Sequence, residues 1–148
     1  MNKDLQIAKK TVQTEIQALK KLSLSFNRTS YFSNAVNMLS KMKGKCLVVG
    51  VGKSYLVSLK VSATLSSLGT PSVAFSANDL QHGGLGAIQK NNDVLLIFSV
   101  SGESSELNSI LRYANRNYIP VIGVSCKATS MLLRYSTIKM LLPRVVEA

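Results

Sequence analysis

The 148-residue sequence predicts an α/β fold: three layers, with helices on both faces of a parallel sheet. Short apolar runs alternate with longer amphipathic stretches, and Gly, Pro and Ser punctuate the junctions. A composition of 46% hydrophobic and 17% charged residues fits one soluble domain with a proper core.

Each element follows from its own residues. Leu5, Ala8, Val12, Ile16, Leu19 and Leu22 recur at three- and four-residue steps, which predicts an amphipathic helix over 5–22. Tyr31, Ala35, Met38, Leu39 and Met42 predict a shorter helix over 31–42. The period then changes, and Cys46-Leu47-Val48-Val49, closed by Gly50, reads as a buried first strand. Leu56, Leu59, Ala63 and Leu65 are spaced for a helix from Ser54 to Leu68, stopped by Gly69-Thr70-Pro71. Val73-Ala74-Phe75 is a second strand, and His82-Gly83-Gly84-Leu85-Gly86 is loop by composition. Val94–Phe98 is the strongest strand signal. Leu107, Ile110, Leu111 and Ala114 share one face of a helix over 104–117. Pro120–Val124 and Ile138–Leu142 complete the strands. The expected order is flavodoxin-like, 2-1-3-4-5, with residues 1–43 as a helical arm that packs against a partner subunit and 44–148 as the core.

Several function classes are disfavoured at once. No stretch approaches the roughly 18 uninterrupted apolar residues of a membrane span. Lys9 and Lys10 break the N-terminal pattern, so no signal-peptide run is present. Cys46 and Cys126 fall in or beside strands, which predicts buried thiols in a reduced, cytoplasmic protein. The net charge of +11 invites a nucleic-acid reading. However, residues 1–45 hold nine Lys/Arg against two acids, and the remaining 103 hold nine against five. The excess is therefore concentrated on the arm, where Lys9-Lys10 and Lys20-Lys21 read as a solvated helix face. No aromatic-rich RNA-binding strand or zinc-ligand spacing accompanies it, and nucleic acid is not the expected partner.

Two loops carry the chemistry: Gly50-Val51-Gly52-Lys53-Ser54, and Ser99-Val100-Ser101-Gly102-Glu103-Ser104-Ser105-Glu106. In the expected order they follow adjacent strands whose connections diverge to opposite faces, which is where such sheets bind ligands. Lys53, Ser54, Ser99, Ser101, Ser104 and Ser105 would then surround one opening. Hydroxyls and N–H groups at a helix start suit a phosphate, and small residues let a ligand approach the backbone. Ser101 or Ser104, taken singly, could simply cap the helix. Two familiar phosphate motifs fail. A Walker A loop needs glycine where Leu47 stands, and the dinucleotide fingerprint needs it where Tyr55 stands.

These residues resemble the sugar isomerase (SIS) domain, and within it the arabinose 5-phosphate isomerases of lipopolysaccharide and capsule synthesis. The resemblance rests on Gly-x-Gly-Lys-Ser at 50–54, Leu-Gly-Thr-Pro-Ser at 68–72 and His-Gly-x-Leu-Gly at 82–86. Ser-x-Ser-Gly-Glu-Ser-Ser-Glu at 99–106 and Val-x-Glu-Ala at 145–148 extend it. It implies reversible conversion of D-ribulose 5-phosphate to D-arabinose 5-phosphate for 3-deoxy-D-manno-octulosonate synthesis, in a homo-oligomer (tetramer or dimer), with no cofactor and no metal. The implied catalytic positions are Lys53, Glu106 and Glu147, with Glu106 or Glu147 as base, Lys53 on the phosphate or enediolate, and His82 assisting ring opening or lining the site. Gly52, Ser54, Ser99, Ser101, Gly102, Glu103, Ser104 and Ser105 are the implied substrate-binding residues.

The sequence departs from the family at Tyr55, where glycine is usual, at Gly84 (aspartate) and at Val100 (asparagine). Family members continue past the position of Ala148 into a segment with a further catalytic histidine, and many carry CBS domains. The chain therefore reads as the N-terminal part of a SIS domain, truncated at its C-terminus. The alternative is a non-catalytic sugar-phosphate-binding module or an inactive fragment.

Overall fold

The computed structural model of the chain describes residues 2–26 and 30–145, which fall into two compact units, Tyr31–Leu141 and the segments flanking it. The flanking unit contains helix α1, Lys3–Phe26, longer at both ends than its apolar spacing alone indicates. None of its residues is buried; along the apolar stripe Leu5, Val12, Ile16 and Leu19 are exposed and Leu22 is half-buried.

The central unit holds α2 (Tyr31–Ser40), β1 (Cys46–Gly50), α3 (Lys53–Ser67), β2 (Ser72–Ser76) and α4 (Ala77–Gln81), then a 3-10 turn at Gly84–Ala87. It continues with β3 (Val94–Phe98), α5 (Leu107–Arg116), β4 (Val121–Ser125), α6 (Met131–Tyr135) and β5 (Ile138–Leu141). All five strands are parallel, in the order β2-β1-β3-β4-β5. This is the expected sheet. Its register places Val48, Leu96, Ile122 and Ile138 in one row across four strands, all buried.

Alternation along the strands divides the core in two. Leu47, Val49, Leu95, Ile97 and Val121 pack with Leu80 of α4, Leu107, Ile110, Leu111 and Ala114 of α5, and Leu132 of α6. The opposite face carries α3 over β1 and β2, and α2 beside β5. The helix at α5 uses the face that its spacing predicts, but it begins at Leu107 rather than Ser104. Residues 104–106 are wound more tightly, with Leu107 N–H on the Ser104 carbonyl at 3.0 Å and Asn108 N–H on that of Ser105 at 3.1 Å. Glu106 is therefore the helix's N-cap residue rather than part of its first turn.

Helix α3 is present, but its apolar spacing does not mark its packed side. Ser58 and Ser62 are buried, whereas Leu56 is 64% and Leu59 43% exposed, and Ala63 is exposed too. The serines can be buried because their hydroxyls find partners. Ser58 donates to the Ser54 carbonyl at 2.9 Å. The Ser62 hydroxyl lies 3.3 Å from that of Ser72 at the start of β2, and Ser72 also donates to the Ser62 carbonyl at 2.6 Å. Small side chains let the helix lie close on the sheet.

At the lower end of the β1–β3 seam Asp93 is fully buried and accepts from Lys45 N–H (2.9 Å), Gln89 N–H (2.8 Å) and the Lys45 ammonium (2.9 Å). Burial pushes its pKa up, but these donors outweigh burial and hold it below the usual value. Cys46 is buried as expected; burial, reinforced by the Asp93 charge, pushes its thiol up to about 12. Cys126, also expected to be buried, is half-buried, because it lies just past the end of β4.

Candidate functional site

Strands β1 and β3 end side by side, with Gly50 paired to Phe98. The chain leaves β1 toward α3 on one face of the sheet and leaves β3 toward α5 on the other. This divergence opens a crevice at the carboxyl ends of the strands.

On the β1 side, Gly52 is the N-cap of α3 and adopts φ 54, ψ −123. L-residues avoid that conformation, and no atom lies within 4 Å of a Cβ built there. The glycine is required by the backbone turn rather than by crowding. Its carbonyl receives the Tyr55 N–H at 2.9 Å, which starts the helix with Lys53 exposed and Ser54 half-buried in the first turn. Tyr55 itself is half-buried.

On the β3 side the serines divide their tasks. The buried Ser99 hydroxyl accepts from Gly102 N–H at 3.0 Å and lies 3.4 Å from the Ser104 hydroxyl. Ser101 accepts from Glu103 N–H at 3.3 Å. Two of the loop's N–H groups are thus spent on holding its own shape. Those of Ser104, Ser105 and Glu106 meet no acceptor among the described residues, and they lead directly into α5. Three successive open donors at a helix start form an anion cradle.

Glu106 is half-buried at the edge of that cradle. Ser105 donates to its carboxylate at 3.2 Å, and the Gln81 side-chain amide donates to its main-chain carbonyl. The second contact brings the end of α4, and with it the exposed His82, to the same end of the sheet. Glu103 points elsewhere. Its carboxylate meets the Lys127 ammonium at 2.8 Å, and this hydrogen-bonded cation holds it below the usual carboxylate value. Lys53, Ser54, Ser99, Ser101, Gly102, Ser104, Ser105 and Glu106 are therefore placed around the ends of adjacent strands. Glu147 lies outside the described residues.

Sequence reasoning missed Gln81, Lys127 and the two buried serines, Ser125 and Ser130, behind the loop. A Ser-x-x-Leu cap at 130–133 was the available signal for the last of these. Two depressions of about 290 and 270 Å³ flank Tyr118 at the opposite, amino ends of the strands, away from these loops. No group of three or more His, Cys, Asp or Glu among the described residues could hold a metal ion, and no described helix is long and apolar enough to cross a membrane.

A family model, the SIS domain, matches residues 38–148. The chain is 33% identical over 142 residues to the uncharacterized protein RP505 of Rickettsia prowazekii, covering 96% of this chain and 44% of that one. It is 33% identical over 141 residues to the arabinose 5-phosphate isomerase KdsD of Francisella tularensis, covering 93% and 42%. The chain thus spans less than half the length of these curated relatives. Among solved structures it is similar to Escherichia coli CFT073 c3406 in complex with arabinose 5-phosphate, with a TM-score of 0.89 and 29% identity over 99% of this chain and 77% of that one.

Proposed function

The chain belongs to the SIS domain family, and on that premise we propose that it is an aldose–ketose isomerase interconverting D-ribulose 5-phosphate and D-arabinose 5-phosphate. The observation that carries the reading is the placement of an anion cradle and a carboxylate in one loop: the open N–H groups of Ser104, Ser105 and Glu106 beside the Glu106 side chain. The likeness to KdsD and to the arabinose 5-phosphate complex supports the choice of sugar.

The chemistry follows from the groups available. The cradle, with the hydroxyls of Ser54, Ser101, Ser104 and Ser105, holds the sugar's phosphate. Glu106 removes a proton from the carbon next to the carbonyl, leaving an enediolate; Glu147 is the alternative base. Returning the proton to the neighbouring carbon, with the hydroxyl proton moving between the two oxygens, completes the exchange of ketose and aldose. Lys53 stabilises the phosphate or the enediolate charge, and His82 assists ring opening or lines the site. A proton shift needs neither oxidant nor reductant, so no cofactor enters the proposal.

The proposal extends to residues 1–43 as an arm, 44–148 as the sugar-phosphate core, a cytoplasmic setting, and supply of arabinose 5-phosphate for 3-deoxy-D-manno-octulosonate in lipopolysaccharide or capsule. It also includes a homo-oligomer, tetramer or dimer, supported by the outward apolar side of α3 at Leu56 and Leu59. A coupled assay that detects arabinose 5-phosphate formed from ribulose 5-phosphate tests the central claim. Thermal stabilisation by the sugar phosphate without turnover would instead leave the site as a non-catalytic binding module.

A further inference from the structure

Behind the cradle, the segment between β4 and α6 grips the serine loop at several points. Cys126 N–H donates to the Val100 carbonyl at 3.0 Å, and the Ser125 hydroxyl donates to the same carbonyl at 3.1 Å. Leu132 N–H, in the first turn of α6, donates to the Gly102 carbonyl at 3.0 Å. Ser130 caps that helix by accepting from Leu133 N–H at 3.3 Å, and its hydroxyl lies 3.5 Å from that of Ser125. Both serines are buried, at 1% and 0% exposure, so neither hydroxyl is there for solvent.

Gly102 closes the arrangement. It holds φ +64, and a Cβ placed on it would lie 2.5 Å from the Ser130 Cβ and Oγ and 2.9 Å from the Ser125 Oγ. The turn that ends in the open donors is therefore seated directly against two hydroxyls from a different strand–helix connection. Such a seat selects one loop conformation. A loop populating the correct conformation only part of the time binds correspondingly more weakly.

We propose that Ser125 and Ser130 are positioning residues that lock the Gly102 turn and thereby hold the cradle in its anion-binding conformation. The inference rests on the sugar-phosphate reading of that cradle, but its structural half can be read without ligand.

The test compares Ser130→Ala and Ser125→Ala with Ser136→Ala. Ser136 is also buried, at the other end of α6, and its hydroxyl donates to the Leu132 carbonyl at 2.7 Å rather than to the loop. Two readouts are taken: hydrogen exchange of the bonded amides that hold the turn, those of Gly102, Glu103 and Leu132, and the Kd for D-arabinose 5-phosphate. Faster loop exchange and a Kd raised about tenfold, the worth of one or two hydrogen bonds, are expected for both loop-facing variants. Ser136→Ala should lower Tm while changing neither. Ser125→Ala keeps the test alive if Ser130→Ala, which also removes a helix cap, does not fold. Unchanged loop exchange in the loop-facing variants overturns the positioning role, whatever the sugar does. Faster exchange in a protein whose unmodified form binds no sugar phosphate overturns the proposed role in binding, and marks the site reading as the point of failure.

Discussion

Replacing Gly102 with alanine tests the packing behind the site most directly. At φ +64 an L-residue costs about 1–2 kcal/mol in the backbone alone. The added Cβ also collides with Ser130, whose Cβ is fixed to the N-cap of a packed helix and cannot swing aside as a long side chain would. Forcing an atom into such a contact costs about 1–3 kcal/mol, so the total should reach roughly 2–5 kcal/mol. Gly69 provides the control. It has φ +86, but nothing lies within 4 Å of its Cβ position, so Gly69→Ala bears only the backbone cost. Urea unfolding of the two variants side by side isolates the steric part. Gly102→Ala should be less stable than Gly69→Ala by about 1–3 kcal/mol, with Tm lower by about 2–4 °C for each kcal/mol. Equal destabilisation of the two would refute the close seating of the loop on Ser130.

Three other outcomes are expected. Glu106→Gln keeps the residue's shape and main-chain contacts but removes the base, so kcat should fall about 10²–10⁴-fold while arabinose 5-phosphate still raises Tm; full activity would move the base to Glu147. Asp93→Asn should cost about 2–3 kcal/mol at neutral pH, because a charged acceptor of three donors is lost. Since the folded pKa of Asp93 is lowered, its contribution is complete above its ordinary value of 3.8 and disappears as pH falls through the lowered one. The stability gap between Asp93→Asn and the unmodified protein should therefore narrow only below about pH 4, and a gap that narrows near neutrality would contradict the assignment. Finally, paired Leu56→Lys and Leu59→Lys substitutions should shift the mass measured by light scattering toward the 16.0 kDa protomer. An unchanged mass places any oligomer contact elsewhere.

The first four strands were legible because each is a compact apolar run with a glycine, proline or serine at its boundary, and their alternation with helices pointed to a parallel sheet, for which 2-1-3-4-5 is a common order. The five-residue helices α4 and α6 were not legible. Neither completes two turns, so no periodicity can emerge from them. Helix α3 misled for another reason: Ser58 and Ser62 look like surface residues until their hydroxyls are seen bonded within the helix and to β2. At the site, the local motifs identified the cradle loop itself. What supports that loop comes from Ser125 and Ser130, joined to it only through the fold, and no spacing rule reaches across such a distance.

The seam between β1 and β3 has a kinetic consequence. Its partners are 48 residues apart, as Lys45 and Asp93 show at its lower end, whereas β4 and β5 pair across 16, Ile122 with Ile138. Bringing distant segments together costs more chain entropy and slows folding. The crevice sits on the most sequence-distant pairing in the sheet, so it should be among the last features to mature. Refolding followed by sugar-phosphate binding would then report the closing step of assembly, well after helical signal has returned.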